Sequence, residues 1–497
     1  MNRVLERSAL KVPTQTLLAP VETISPAPHY ERHVLAAKTD PAAALQDYLV
    51  AQRSYRQQYA NLYYLRLSAL KEAGTAAAHD KWLPPTESIG SNHSKASPSP
   101  QPTFAAKVTN IPPGEKCFVV GTVYCDKKLR PNVLDDLSKE LWITTPPERS
   151  TYSTDEDTYY LEDESSRIAL VGDMVRQAPF VTGMVVGLLG RESLTGDFEV
   201  HDICYPGLSP QPSLPSSTNN SDSCPPTYVA LVSGLNFGDS TATANAMSYE
   251  LLKEFITGQL GASGEQALAS QVTKVVVLGN SLNTGGLEVQ CEKLHIHDKG
   301  ENDRDAAKDR EAAEGGLRHL DQFLGDLCAS VSVDLLPGDR DPVNQVLPQQ
   351  PLHVSLFPTA ARHSTLTSVT NPARLDLQGL SLLGVSGQTI ADACKYCPGV
   401  TPLEMAELTL RCRHIAPSAP DTLWCYPFVD KDPFVLAETP HIYAIGNQSE
   451  FASQLAQGSA GQVCRVVCVP AFSTTQTIVL VNMQTLAVHP MSFTCAF

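Results

Sequence analysis

The chain has 497 residues, 42% hydrophobic and 18% charged, with 37 Lys and Arg against 53 Asp and Glu for a net charge of −16. With a mean hydropathy of −0.13, that composition excludes collagen-like, wholly disordered and membrane-spanning classes, and at about 150 residues per domain it predicts about three units. The negative charge excludes nucleic-acid binding by bulk attraction to phosphates.

Residues 1–38 are rich in Pro and small side chains without a sustained period, and are expected to form a flexible arm. Residues 39–83 read as a helical segment. Asp40-Pro41 is an N-cap followed by Pro at N1, and Leu45, Leu49, Tyr55, Tyr59, Leu62, Tyr63 and Leu70 recur at helical spacing up to Gly74. This aromatic stripe is expected to pack on the next domain rather than face a partner.

Residues 84–103 form a Pro/Ser-rich linker. Over 104–207 five strands are predicted: KCFVVGTVYCD, KELWITT, TYYLED running into RIALVG, FVTGMVVGLLG and DFEVHDICY. Short strands with internal glycines suggest an OB-like barrel. Asp155, Glu156, Asp157, Glu162, Asp163 and Glu164 argue against single-stranded nucleic acid as its ligand, and the one basic cluster, Lys127, Lys128 and Arg130, reads as a solvated turn.

Residues 208–226 are a second low-complexity loop. Over 227–497 apolar strands at Tyr228–Leu235, Lys274–Leu278 and Val331–Leu336 alternate with helices at Ala246–Leu260, stopped by Gly261, and Leu317–Ala329, the pattern of a sheet covered on both faces. The charged stretch 298–314 is expected to be a disordered insertion, nicked first by protease together with 208–226. Beyond Leu352 the chain turns strand-rich, as in Cys464–Phe472 and Thr477–Asn482.

The run Phe180–Gly190 is too short and glycine-broken to cross a bilayer, and MNRVLERSALK lacks the apolar core of a secretory signal. Thirteen cysteines then read as reduced thiols of an intracellular protein. No GxxxxGK[ST], strand-linked GxGxxG or GxSxG is present; Ser386 sits in GVSGQ. Cys394-x-x-Cys397 and Cys464-x3-Cys468 read as buried thiols rather than zinc ligands, and His295-x-His297 lacks a third ligand. The Pro-dense loop PGDRDPVNQVLPQQPLH is expected to be a rigid surface loop suited to an interface.

Three Gly-polar strand ends fall where open α/β sheets place ligands: Val232–Asn236, Val277–Ser281 and Leu336–Asp341. With Arg413-His414-Ile415 and Ile445–Ser449 they resemble the calcineurin-like metallophosphoesterase fold, whose strand ends read D-x-H, G-D-x-x-D, G-N-H-[DE] and G-H-x-H. The ligands are missing. Ser233 and Leu235 stand for Asp and His, Asn280 for Asp, Asp339-Arg340 for Asn-His, and Asn447 and Ser449 for the two histidines. Two divalent metals need carboxylate or imidazole ligands to activate water.

The fold class expected is therefore α/β plus β: an OB-like barrel combined with an inactivated calcineurin-like α/β sandwich, preceded by an N-terminal helix. That combination resembles the B-subunits of the replicative DNA polymerases, on the delta side of the family. The carrying blocks are PGDRDP (337–342), LPQQPLH (347–353), TNP (370–372), LGVSGQ (383–388), LRCRHIAPSAPDTL (410–423), CYPF (425–428), DPF (432–434), PHIY (440–443), Gly446-Asn447 and FSTTQT (472–477). The resemblance implies a nuclear, non-catalytic scaffold without cofactor, metal or catalytic residues. As partners it implies the catalytic subunit's C-terminal metal-binding domain, the third, sliding-clamp-contacting subunit and a small fourth one, with DNA bound weakly and no membrane. Rival readings are a small subunit of polymerase alpha or epsilon, an active metallophosphoesterase, and a stand-alone OB protein.

Overall fold

The computed structural model describes residues 30–32, 47–83, 101–130, 149–214, 225–239, 244–283 and 302–494. The predicted strand KELWITT and the pair His295 and His297 lie outside them, as does Asp40-Pro41.

The N-terminal helix α1 spans Ala60–Trp82 and buries Leu62, Arg66, Leu67, Leu70, Gly74 and Ala78 along one face. It starts and ends later than the apolar spacing predicts. Gly74 does not stop it: a Cβ there would lie 3.1 Å from Val120 Cγ1, so the glycine lets helix and barrel approach, and the following TAAAHDKW continues with good helix formers. Residues 47–59 form an irregular strap instead. The stripe is accordingly split, with Leu62 and Leu70 buried but Leu49, Tyr55 and Tyr59 exposed. Within the predicted flexible arm, Arg32 donates to Val272 O at 2.7 Å and to Ile256 O, so the described part of the arm is docked.

The barrel is built from β1 (Thr103–Ala105), β2 (Lys116–Asp126), β3 (Thr158–Glu162), β4 (Arg167–Val171), the short helix α2 (Asp173–Gln177), β5 (Val185–Glu192) and β6 (Phe198–Cys204). Its order is β1-β2-β3-β4-β6-β5, closed by β2 against β5, with β1 and β2 and also β4 and β6 parallel and the remaining pairs antiparallel. This closed, partly parallel order is that of an OB barrel. TYYLED and RIALVG form two strands joined by a turn in which Asp163 accepts from Ser165 N and Ser166 N.

Two further sheets stack face to face. The first runs β10-β9-β8-β7-β16-β17 and the second β11-β12-β13-β15-β14. Their strands are β7 (Tyr228–Val232), β8 (Val272–Leu278), β9 (Ser332–Leu336), β10 (Leu366–Ser368), β11 (Ala373–Leu377), β12 (Leu380–Val385), β13 (Ile442–Gln448), β14 (Ala452–Gln457), β15 (Val463–Pro470), β16 (Thr477–Asn482) and β17 (Val488–Ser492). Alternation along each strand sorts the two faces: Leu231, Val276 and Leu278 meet Leu382, Ala444 and Val467 between the sheets, whereas Val232, Val277 and Leu335 face outward.

That outer face is covered by α3 (Ala246–Thr257), α4 (Ser263–Gln271) and α5 (Asn302–Cys328). The other sheet is covered by α6 (Gln388–Tyr396) and α7 (Pro402–Arg411). The result is a helix–sheet–sheet–helix sandwich. Helix α3 is stopped by Gly258 at φ 79° rather than Gly261, because the αL cap falls there. The charged stretch expected to be disordered is instead, from Asn302, the first half of α5. Its Ala, Glu, Lys and Arg are strong helix formers, and the second half anchors the helix through Leu320, Phe323, Leu324 and Leu327. Protease should therefore spare 302–314.

The expected loop at 208–226 also starts later. Leu208 and Ser209 are buried, Ser209 Oγ donates to Leu436 O, and Thr439 N donates to Pro210 O.

Barrel and sandwich share one core, in which Phe180, Val181 and Met184 join Cys412, Ala416 and Ala419. Arg66 ties them. Its guanidinium, fully buried, donates to Gly183 O of the barrel at 3.2 Å, to Pro417 O at 2.8 Å and Ala419 O at 2.6 Å, and to Asp432 Oδ2 at 2.9 Å. Asp432 also accepts from His414 Nε2 at 2.9 Å; Ala416 N donates to Nδ1, which fixes this tautomer. Burial, helped by Arg66, pushes the His414 imidazole down to about 4 against the pull of Asp432. Burial alone would raise Asp432, but His414 and Arg66 hold it well below the usual carboxylate range.

Replacing Arg66 with Met should lower the unfolding free energy by about 3–5 kcal/mol in denaturant titration, since it strands a buried carboxylate. Gly183→Ala should act similarly, because its Cβ would lie 2.3 Å from Arg66 Nη1. Unfolded His takes a proton below about 6.5, the folded one only near 4. The stability carried by His414 is thus complete above pH 6.5 and is lost as pH falls through 4, with a slope of at most about 1.4 kcal/mol per pH unit. The stability difference between wild type and His414→Gln should shrink over that window.

Candidate functional site

The C-terminal ends of β7, β8, β9, β12 and β13 converge, and the polar residues expected from the sequence meet there. Asn236, Asn280 and Asn447 occupy positive φ at 46°, 54° and 56°, which Asn tolerates better than most residues. Ser233 Oγ donates to Pro470 O at 3.0 Å and accepts from Asn447 N at 3.0 Å. Asn447 Nδ2 donates to Ser386 O at 2.8 Å and Leu278 O at 3.1 Å, crossing from one sheet to the other. Asn280 Oδ1 accepts from Arg340 N at 3.1 Å, and Asn236 Nδ2 donates to Ser473 Oγ at 2.8 Å.

An amide cluster lies beside these, on residues that motif reading did not assign. Asn371 Nδ2 lies 2.8 Å from each of Gln349 Oε1, Ser386 Oγ and Gln388 Oε1, while Ser386 N donates to Asn371 Oδ1 at 3.0 Å. Gln349 Nε2 reaches Gly338 O at 2.9 Å. The signal was present in the blocks LPQQPLH, TNP and LGVSGQ, but nothing in their spacing says that three loops from distant parts of the chain share one network.

The Pro-dense loop is only in part the surface loop expected: Asp339, Arg340, Pro342, Asn344 and His353 are exposed, whereas its Leu347 and Gln349 are buried and Asp341 is almost fully enclosed, accepting from Leu282 N and Gly338 N at 2.8 Å each. Burial pushes the Asp341 carboxyl up to about 6 despite these donors. The loop is a plug: its prolines withhold donors that a buried segment would have to satisfy.

Not every position expected at the site is inside it. Leu235 is buried in the core under α3, with its carbonyl accepting from Tyr249 Oη at 2.6 Å. Asp339, Arg340 and Ser449 are exposed at the rim. His414, read with this set, belongs to the Arg66 network. Among the described residues no group of three His, Cys, Asp or Glu could hold a metal ion. Inside the site the chemistry on offer is that of amides, hydroxyls and the walled-in carboxylate of Asp341, which exchange hydrogen bonds with one another and with the backbone.

The cysteine pairs are separate from the site. Cys464 and Cys468 are buried in β15, and Cys397 is buried at the end of α6. Burial raises their thiols, Cys397 and Cys468 to about 12, so they are poor thiolates.

The solvated turn expected at the basic cluster holds for Lys128, which lies exposed in a turn, but not for Lys127. Lys127 is buried, 3.0 Å from Asp157. Lys128 pairs with Glu156 at 2.5 Å and Arg130 with Asp421 at 2.6 Å.

Residues 229–453 match the family model for the alpha/epsilon B-subunits of DNA polymerases, and residues 58–203 the one for the OB-fold domain of DNA polymerase delta subunits. Together they mark the B-subunit class of DNA polymerase accessory proteins. The chain is 37% identical to the DNA polymerase delta small subunit of Arabidopsis thaliana, over 89% of this chain and 93% of that one. It is 34% identical to the DNA polymerase delta small subunit of Saccharomyces cerevisiae, covering 88% and 89%, and 32% identical to DNA polymerase delta subunit 2 of Drosophila melanogaster, covering 88% and 94%. The chain belongs to the DNA polymerase delta small-subunit family. It is an accessory subunit of polymerase delta in DNA replication, and the catalytic activity of that polymerase is carried by the large subunit.

A Cβ added to Gly338 would lie 2.1 Å from Asn280 Oδ1 and 2.4 Å from Asn280 N. Gly338→Ala should therefore destabilise by roughly 1–3 kcal/mol, and Asn371→Ala by about 1–3 kcal/mol for each buried partner it orphans. Thermal unfolding of both variants checks this.

Proposed function

We propose that this chain is a scaffold whose sandwich is a calcineurin-like phosphoesterase fold with its metal chemistry removed, linking the catalytic subunit's C-terminal metal-binding domain to the other accessory subunits in the nucleus. The observation that carries this reading is the amide and hydroxyl network across the strand ends. Ser233 and Asn447 join the two sheets with hydrogen bonds, and Asn280 ties neighbouring strand ends of one sheet, at positions where a dinuclear site needs carboxylates and imidazoles. Such a network is stable without metal and rigidifies the face it spans.

A scaffold also needs its two folded units held in one arrangement, and Arg66 supplies bonds to both. The domain reading proposed is an N-terminal strap and helix over 47–83, an OB domain at 104–207 and a sandwich at 227–497. Nucleic acid has little to grip on the barrel, because Lys127, Lys128 and Arg130 are each neutralised by a carboxylate. DNA contact by the isolated protein is accordingly weak, and its roles in replication and repair run through protein partners.

Two measurements test the reading. Elemental analysis with a phosphoesterase assay should find no stoichiometric Mn, Fe or Zn and no turnover; two metals per chain with metal-dependent hydrolysis would sink it. Full-length tagged protein co-expressed with the large subunit of polymerase delta should bring that partner down through a stable complex.

A further inference from the structure

We infer that the exposed aromatic surface made by the strap Leu49–Tyr59 and the turn Trp424–Val429 seats an acidic, apolar-bearing segment of another subunit of the polymerase. The inference rests on the scaffold reading above and assigns it a surface. Trp424 is 66% exposed, Tyr55 55%, Val429 49%, Leu49 47% and Tyr59 45%. Large side chains left this open on two neighbouring segments form a patch rather than scattered exceptions.

Contiguity follows from the contacts beneath. Tyr426 packs edge-on against Tyr55 with ring centroids 5.5 Å apart and against Phe428 at 5.0 Å. The Tyr426 hydroxyl accepts from Ser54 N at 2.5 Å and donates to Gln52 O at 3.2 Å. Asn61 Nδ2 donates to Val429 O at 3.3 Å.

The patch is also pre-organised. Leu347 N donates to Trp424 O at 2.9 Å and Tyr426 N to Leu347 O at 2.7 Å, clamping the turn to the buried Pro-dense plug. Val50 N donates to Gln350 Oε1 at 3.0 Å, clamping the strap to the same plug. A surface already held in place loses little entropy on binding.

Composition and charge select the occupant. Trp, Tyr and Arg are the residues on which protein interfaces concentrate their binding energy, and Arg53 and Arg56 are exposed on the same strap. In a chain of net charge −16 these two cations favour carboxylates on the partner, with apolar side chains over Trp424 and Tyr55. Single-stranded DNA would need a continuous cationic track, whereas here exposed Asp47 and Asp430 interrupt the exposed cations Arg53, Arg56 and Lys431.

The test uses the full-length chain co-expressed with the large and remaining subunits of polymerase delta. It compares wild type with the triple variant Tyr55→Ala/Tyr59→Ala/Trp424→Ala, with Arg53→Glu/Arg56→Glu and with Arg53→Lys/Arg56→Lys. The substituted side chains are exposed, so circular dichroism melts should match wild type. We expect the aromatic and charge-reversal variants to lose about tenfold or more in affinity for one of the other subunits. The lysine variant should retain it, and the charge-reversal effect should fade at high salt.

Retention of all the other subunits at wild-type affinity by both damaging variants overturns the inference while leaving the scaffold reading intact. A wild-type chain that captures none of them overturns the scaffold reading itself. Tight fluorescence-anisotropy binding of an oligo-dT probe, or a concentration-dependent dimer in sedimentation, lost in the variants while all subunits are retained, would give the patch a different occupant and likewise overturn the inference.

Discussion

The guanidinium of Arg66 is the group on which the two folded units depend for their arrangement. It leaves water completely, which costs several kcal/mol unless every donor finds a partner, and it finds them on both units: a carbonyl from the barrel, two carbonyls from the sandwich and the Asp432 carboxylate. Rotating barrel against sandwich would break some of these bonds and leave a buried charge partly bare. His414 completes the arrangement by staying neutral and donating to the same carboxylate. Helix α1, which covers the barrel, thereby also fastens it to the sandwich through Arg66.

A second constraint operates at the strand ends. Parallel strands entering tight polar turns always leave backbone groups to satisfy, and in a metal-loaded site carboxylates and imidazoles do part of that work. In this chain Asn, Ser and Gln do it together with the buried Asp341. Asn447 reaches carbonyls in both sheets, Asn371 draws three loops together, and Asp341 is spent on backbone N–H groups under the Pro-dense plug. The same plug anchors the aromatic turn at Trp424 and the strap at Val50, so the polar strand ends become the foundation of a surface.

Charge pairing works in the same direction. The residues that looked like a basic edge on the barrel are held by Asp157, Glu156 and Asp421, and the acidic residues clustered before β4 are in good part turn caps and ion-pair partners, as Asp163 and Glu164 are. The barrel's contribution is mechanical, through the core it shares with α6 and α7.

The sequence by itself determined the sheets, the barrel and the family. Apolar runs such as YVALV and KVVVL are buried wherever they lie in a doubly covered sheet, and the long Pro- and Gly-marked blocks are specific. Only the tertiary structure decided the rest. The span of α1 escaped because Gly74 and Ala78 are helical for the sake of close packing on Val120 and the barrel, a reason that lies off the helix. The charged stretch from Asn302 reads as disordered in composition, yet it extends a helix whose other half is nailed down by Phe323 and Leu324. Lys127 looks solvated in sequence, but its partners Asp157, Tyr159 and Tyr396 are 30 to 269 residues away. Spacing along a chain reports which face a residue shares with its neighbours. It is silent about which distant carbonyl or carboxylate will be brought up to it, and that is what decides the fate of a buried charge.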